Sequence, residues 1–122
     1  MITTYCQTSP IVTPTRIQRK RVKGWRKPEG AVDCTRHKGG KWGNDYRIEK
    51  KGRLYTIIND KTGYMAFHGT PRGAAEHAVE MFQREQLPTM DCSELAGKTL
   101  MCWCALDMPC HVDAILRKAN RW

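Results

Sequence analysis

Apolar positions along the chain change their period twice, and those changes predict the order of elements. Arg53-Leu54-Tyr55-Thr56-Ile57-Ile58-Asn59-Asp60 is rich in aromatic and β-branched residues, breaks at Lys61-Thr62-Gly63 and resumes as Tyr64-Met65-Ala66-Phe67, which predicts a hairpin near 53–67. The spacing then becomes helical. Thr70-Pro71 opens a segment whose Ala74, Ala75, Ala78, Val79 and Phe82 share one face and which Leu87-Pro88 closes, a helix of about 70–86. A short helical turn at 91–95 leads through Ala96-Gly97-Lys98 into the apolar run Thr99–Cys104, read as a strand. Val112, Ile115, Leu116 and Ala119 then mark a last helix of about 109–120, with Asp107 as a candidate cap and Pro109 at its first position.

Less regular sequence precedes the hairpin. Residues 1–14 form an irregular lead-in, 16–27 an extended arm, Pro28-Glu29-Gly30 a turn before the short strand Ala31–Cys34, and Thr35–Asp45 a glycine-rich loop. That loop can be a phosphate cradle or a plain connection, since it matches neither the Walker nor the dinucleotide pattern. The order predicts a single small α/β or α+β domain over 15–122, with one central mixed sheet and two main helices. At 122 residues the chain has room for one modest core. It holds no run of about 18 apolar residues and no signal peptide, so a soluble cytoplasmic protein with reduced thiols is expected.

Charge is uneven along the chain. Residues 1–51 hold 13 Lys or Arg against 4 Asp or Glu, whereas residues 52–122 hold 8 of each, so the net +9 comes from the first part. Seven of the twelve residues from Arg16 to Lys27 are basic. Such a run attracts polyanions by counterion release, and the expected partner is nucleic acid or a phosphorylated nucleotide. Arg16, Arg19, Arg21, Lys23, Arg26 and Lys41 are the candidate phosphate contacts, Trp25 and Trp42 the candidate stacking residues, and Asn44 a candidate reader of a polar base edge. A solvated basic arm with tryptophans in the core is the alternative.

The densest chemistry lies in Cys102-Trp103-Cys104-Ala105-Leu106-Asp107-Met108-Pro109-Cys110-His111. On a strand, Cys102 and Cys104 share a face while Trp103 points the other way. Cys110 and His111 fall in the first turn of the last helix, where free amides and the helix dipole favour a thiolate. Three sulfurs and an imidazole are a complete tetrahedral set for zinc, making Cys102, Cys104, Cys110 and His111 the candidate metal ligands. The Cys-x-Cys spacing differs from the usual Cys-x-x-Cys knuckle. Cysteines serving as small buried hydrophobes, or a catalytic thiol at Cys104 or Cys110, remain open. His111 and Asp113, two apart on a helix, project differently, which argues against an in-line relay. His68 and His77 read as surface residues.

With these residues in view, the chain resembles a family of small, largely uncharacterised proteins of bacteriophages and actinobacteria. The resemblance spans residues 15–119 and is carried by Arg16-Ile17-Gln18-Arg19-Lys20-Arg21, Gly24-Trp25, Lys41-Trp42-Gly43-Asn44, Leu95-Ala96-Gly97-Lys98, Cys102-Trp103-Cys104 and Pro109-Cys110-His111-Val112-Asp113. The family's Arg-Pro before its Trp-Gly-Asn-Pro is replaced here by Thr35–Gly40, and Asp45 follows Asn44. Similar proteins occur among phage genes for modified purines, including 7-deazaguanine derivatives, so the resemblance implies a nucleobase substrate. It further implies that a thiolate attacks an electrophilic carbon of the base, with His111 or Asp113 moving protons. A zinc deaminase is disfavoured because no His-x-Glu accompanies the cysteines. A non-catalytic, zinc-stapled nucleic-acid-binding module and a phage factor that binds a host protein are the alternatives.

Overall fold

A computed structural model describes residues 14–36 and 40–121. Most of the expected lead-in, and His37-Lys38-Gly39 of the glycine-rich loop, lie outside the described residues. Near the centre is the short strand β6 (Leu100–Cys102), fully buried, with β1 (Arg16–Gln18) on one side and β2 (Val32–Asp33) on the other, both parallel to it. The register sets Arg16 beside Leu100 and Gln18 beside Cys102, so the basic arm begins as a strand of the core.

The second sheet is an antiparallel meander of β3 (Tyr46–Lys51), β4 (Leu54–Asn59) and β5 (Tyr64–His68). Its β4–β5 turn is the expected hairpin: Asn59 Oδ1 accepts from the amides of Lys61 and Thr62, and Gly63 adopts φ 81°, a conformation costly for residues with a Cβ. The α+β class and the two helices hold, while the sheet does not form one mixed layer. β3 is the reason. Its Tyr46 and Ile48 alternate with Arg47 and Glu49, and pairing with β4 makes an antiparallel unit that shares no ladder with β6.

α1 (Pro71–Met81) starts where Thr70 Oγ1 accepts from the Gly73 amide, and lays Ala74, Ala78 and Met81 against Tyr46 and Ile57 of the meander. Small side chains on that face let the helix approach the sheet closely. A π-helical turn at Phe82–Gln86 continues it, so the helical stretch ends near residue 86 as the spacing predicts. α2 (His111–Asn120) buries Val112, Ala114, Ile115 and Leu116 in the larger core, together with Leu100, Leu95 and Phe82. Cys110, not Asp107, is the residue that caps it, which puts Pro109 just outside and His111 at its first position. Among the described residues no helix is long and apolar enough to cross a membrane.

Candidate metal centre and its cavity

Cys102 ends the central strand β6, the chain turns through residues 103–109, and Cys110 begins α2. Strand end and helix start thus face each other, the place where open sheets gather ligands. The Sγ atoms of Cys102, Cys104 and Cys110 all lie within 4.8 Å of one another, with Cys102 and Cys110 3.1 Å apart. Cys102 and Cys110 are buried, and Cys104 is half-buried.

Arg16 makes the largest share of the side-chain bonds to the turn between them, with Arg72 donating to the Asp107 carbonyl at 2.9 Å and Gln18 to that of Trp103 at 3.4 Å. Arg16, whose side chain is 7% exposed, donates to the carbonyls of Ala105 (3.3 Å), Leu106 (2.9 Å) and Met108 (3.1 Å), and its Nε pairs with Asp113 of α2 at 3.1 Å. The same guanidinium reaches Cys102 Sγ at 3.8 Å. Without a metal, hydrogen bonds from Cys104 and Cys110, joined by that of Arg16, hold the Cys102 thiol well below its ordinary range. Sharing its proton with the Cys102 sulfur pushes Cys104 up to about 11, and the same two neighbours push Cys110 up as well. Arg16, itself paired with Asp113, is the cation beside the Cys102 sulfur.

His111 stands behind this group. Its Nε2 donates to the carbonyls of Trp42 (2.9 Å) and Cys34 (3.1 Å), which leaves the Nδ1 lone pair 3.7 Å from Cys110 Sγ. Burial lowers its pKa, so the ring is held neutral. It lies outside the set of converging sulfurs. Asp113 is occupied by Arg16, so its carboxylate serves the turn and not a proton relay with His111.

The sulfurs open on a cavity of about 230 Å³. Ala75 and Ala78 of α1 form its apolar wall, and Arg36 and Asn44 supply polar groups. Asn44 is fixed on both sides, giving Nδ2 to the Ala78 carbonyl (3.3 Å) and accepting the Tyr46 amide at Oδ1 (2.8 Å). Arg36 donates to the Asn44 carbonyl at 3.0 Å and is partly desolvated, which lowers its pKa. A second, more apolar space of about 310 Å³, lined by Tyr55, Pro71 and Met108, shares Cys104 with the first. Cys104 is thus the sulfur exposed to both.

The residues expected to contact phosphate and base separate into three groups. Arg16 is internal. Trp42 is buried in the core at 9% exposure, with Lys41 over its ring and paired to Glu94 at 2.7 Å, so the stacking role does not suit it. Arg19, Arg21, Lys23, Trp25 and Arg26 remain on the surface or half-exposed, Arg19 being paired with Asp33 at 2.8 Å. Sequence reasoning passed over Arg36, which enters the cavity from a loop without periodicity, and Trp103, which is 36% exposed and lines the cavity. Its position between two cysteines was the available signal.

Fold and site together define a small α+β protein with a three-cysteine centre able to hold a metal, set at a strand end beside a cavity. The chain belongs to the family described as Domain of unknown function (DUF4326), whose pattern matches residues 17–121. No curated protein and no solved structure matches the chain.

Proposed function

We propose that the protein binds a nucleotide or nucleic acid and modifies a nucleobase at a zinc ion held by the thiolates of Cys102, Cys104 and Cys110. The observation that carries this reading is the convergence of three sulfurs on the wall of a cavity. Three protein ligands and a fourth position open to substrate are the pattern of catalytic rather than structural zinc. The cavity, at about 230 Å³, falls below the ~300–1,000 Å³ usual for larger ligands and suits a single heterocycle.

The donor set points to zinc. Three thiolates around a divalent ion carry a net charge of −1, and the Arg16 guanidinium, itself paired with Asp113, lies beside the Cys102 sulfur. Sulfur ligands select a soft or borderline metal over magnesium or calcium. The three sulfurs, all within 4.8 Å of one another, would hold such an ion. Asp113 orients the Arg16 guanidinium, and the Nδ1 lone pair of His111 can accept from Cys110 only while that sulfur is a thiol. Arg36 and Asn44 orient the base, and zinc, when bound, supplies Lewis acidity.

A closed Cys3His site that only staples the fold is the second reading. It is favoured by His111, whose Nε2 donates to backbone carbonyls in the manner of metal-ligating histidines while Nδ1 faces Cys110. Cobalt substitution separates the two. With an open fourth position the visible spectrum of the cobalt protein changes when a purine or 7-deazapurine base is added. A spectrum indifferent to every base, together with a nitrogen ligand abolished by His111→Ala, overturns the catalytic reading.

A further inference from the structure

Trp103 connects the cysteine cavity to a second feature that the site does not use. It lines the cavity with one-third of its surface exposed, and two guanidinium groups flank its ring, Arg21 at 4.2 Å and Arg19 at 4.8 Å from the centroid. Arg19 in turn lines a shallow groove of about 380 Å³ with Trp25, Lys27 and Asp33. Aromatic faces and cations therefore alternate along one path: Trp25 and Lys27, then Arg19, then Trp103 with Arg21, then the sulfurs.

We infer that this path is a track for single-stranded nucleic acid, and that the base acted on reaches the cysteine cavity while still part of the strand. The inference rests on the nucleobase reading above and adds the polymeric nature of the substrate. The number of cations decides between a strand and a free nucleotide. Arg19 and Arg21 over the Trp103 ring are enough for the phosphate of one nucleotide. Among the described residues Lys20, Lys23, Arg26 and Lys27 also form no ion pair, and they extend the positive charge well beyond it. Successive phosphates along a strand account for that excess.

Trp103 favours a single strand over a duplex, which would first have to unpair and unstack the base. A base can lie on an aromatic face only when it is out of the helical stack, and a cavity sized for one heterocycle admits a base only when it is extruded. Arg19 is tethered by Asp33 at 2.8 Å, whereas Arg21 has no ion pair among the described residues, so Arg21 is free to leave the ring for a phosphate as a base takes its place.

The test is fluorescence anisotropy of the full-length, zinc-loaded chain with a labelled 12-nucleotide single strand, in DNA and RNA forms, competed by the matching duplex and by mononucleotides at several salt concentrations. The strand is expected to bind at least ten-fold tighter than duplex or mononucleotide, with a log–log salt slope of about −3. Trp103→Ala weakens it by roughly ten-fold or more while zinc content and thermal midpoint stay the same, Trp103→Phe keeps most of the affinity, and Arg21→Ala makes the salt slope shallower by about 0.7. Equal competition by mononucleotide or duplex, or unchanged affinity in Trp103→Ala, overturns the strand inference and leaves the nucleobase reading standing. Failure of strand and mononucleotide alike to bind overturns both.

Discussion

Arg16 and Cys102 meet at 3.8 Å although 86 positions separate them, because parallel pairing of β1 with β6 sets the Arg16 side chain alongside the end of the central strand. One guanidinium thereby joins the sulfur to the three carbonyls of the turn that returns the chain to Cys110. The turn has no regular structure of its own, and among its carbonyls those of Leu106 and Met108 take this donor. Local sequence cannot report such a contact.

Arg16→Ala removes this donor from the Leu106 and Met108 carbonyls, leaves the Ala105 carbonyl only the Met108 amide, and removes the cation beside the Cys102 sulfur. Hydrogen bonds to charged groups contribute about 1.5–3 kcal/mol each, non-additively, so a loss of about 3 kcal/mol is expected in urea denaturation. Arg16→Lys keeps the charge but lacks the fork that serves several acceptors at once, and recovers less than half. Both variants bind zinc more weakly than the parent, measured by competition with a chromogenic chelator.

Zinc loading couples to folding, because the three sulfurs come from both ends of a turn that the unfolded chain does not form. At a free zinc concentration one hundred times the dissociation constant, the gain is about 2.7 kcal/mol, or roughly 10 °C in thermal midpoint for a domain of this size. Calorimetry with and without chelator reads it directly. Cys104→Ala abolishes the shift and lowers bound zinc from one equivalent per chain to well below one. Cys92→Ala retains the shift, since Cys92 packs in the core away from the trio.

The outer face of the meander makes stability depend on acid pH. Arg47 donates to Asp60 (2.7 and 3.1 Å) and to Glu49 (2.8 Å), and these hydrogen bonds hold both carboxyls below their ordinary range. Folded pKa values below the unfolded ones mean that the unfolded chain binds more protons, so stability rises with pH through this range. The contribution is present above about pH 4.3 and is lost as pH falls through the folded values. Arg47→Ala should flatten the acid limb of a stability–pH curve and lower the neutral plateau by the same small amount, the two curves converging at low pH, and the difference is modest because the pairs are exposed.

Elements whose stabilising contacts are near in sequence were legible. The β4–β5 hairpin and both helices follow from turn residues and periodicity, and the closeness of the sulfurs follows from a Cys-x-Cys strand end returning within a few residues to a helix start. What was hidden depends on partners far along the chain. Four of the six residues of β3 are charged, and only pairing with β4 makes it a strand, which is also what divides the expected single sheet in two. Trp42 and Trp103 sit beside cations alike, and only packing buries the first and exposes the second. Arg16, one basic residue among many in its run, differs from its neighbours only because β6 lies next to it.

Gly43 tests whether the polar wall of the cavity matters separately from its sulfurs. A Cβ on this residue would stand 2.9 Å from the Arg36 Cα, a backbone atom that cannot step aside alone. The Gly43 carbonyl also accepts from Gln86 Nε2 at 2.8 Å, and Gln86 Oε1 accepts the Asp45 amide at 2.9 Å, so the segment is held on its other side. Gly43→Ala must push the Arg36 backbone outward, at a cost of about 1–3 kcal/mol typical of overpacking. Moving Arg36 stretches its bond to the Asn44 carbonyl and widens the cavity, while the sulfurs, carried by β6, the turn after it and α2, stay where they are. The variant is therefore expected to keep one equivalent of zinc and to lose base binding by several-fold, read as a smaller change in the cobalt spectrum at a given base concentration. Loss of zinc and base together would mean that the two walls form one unit.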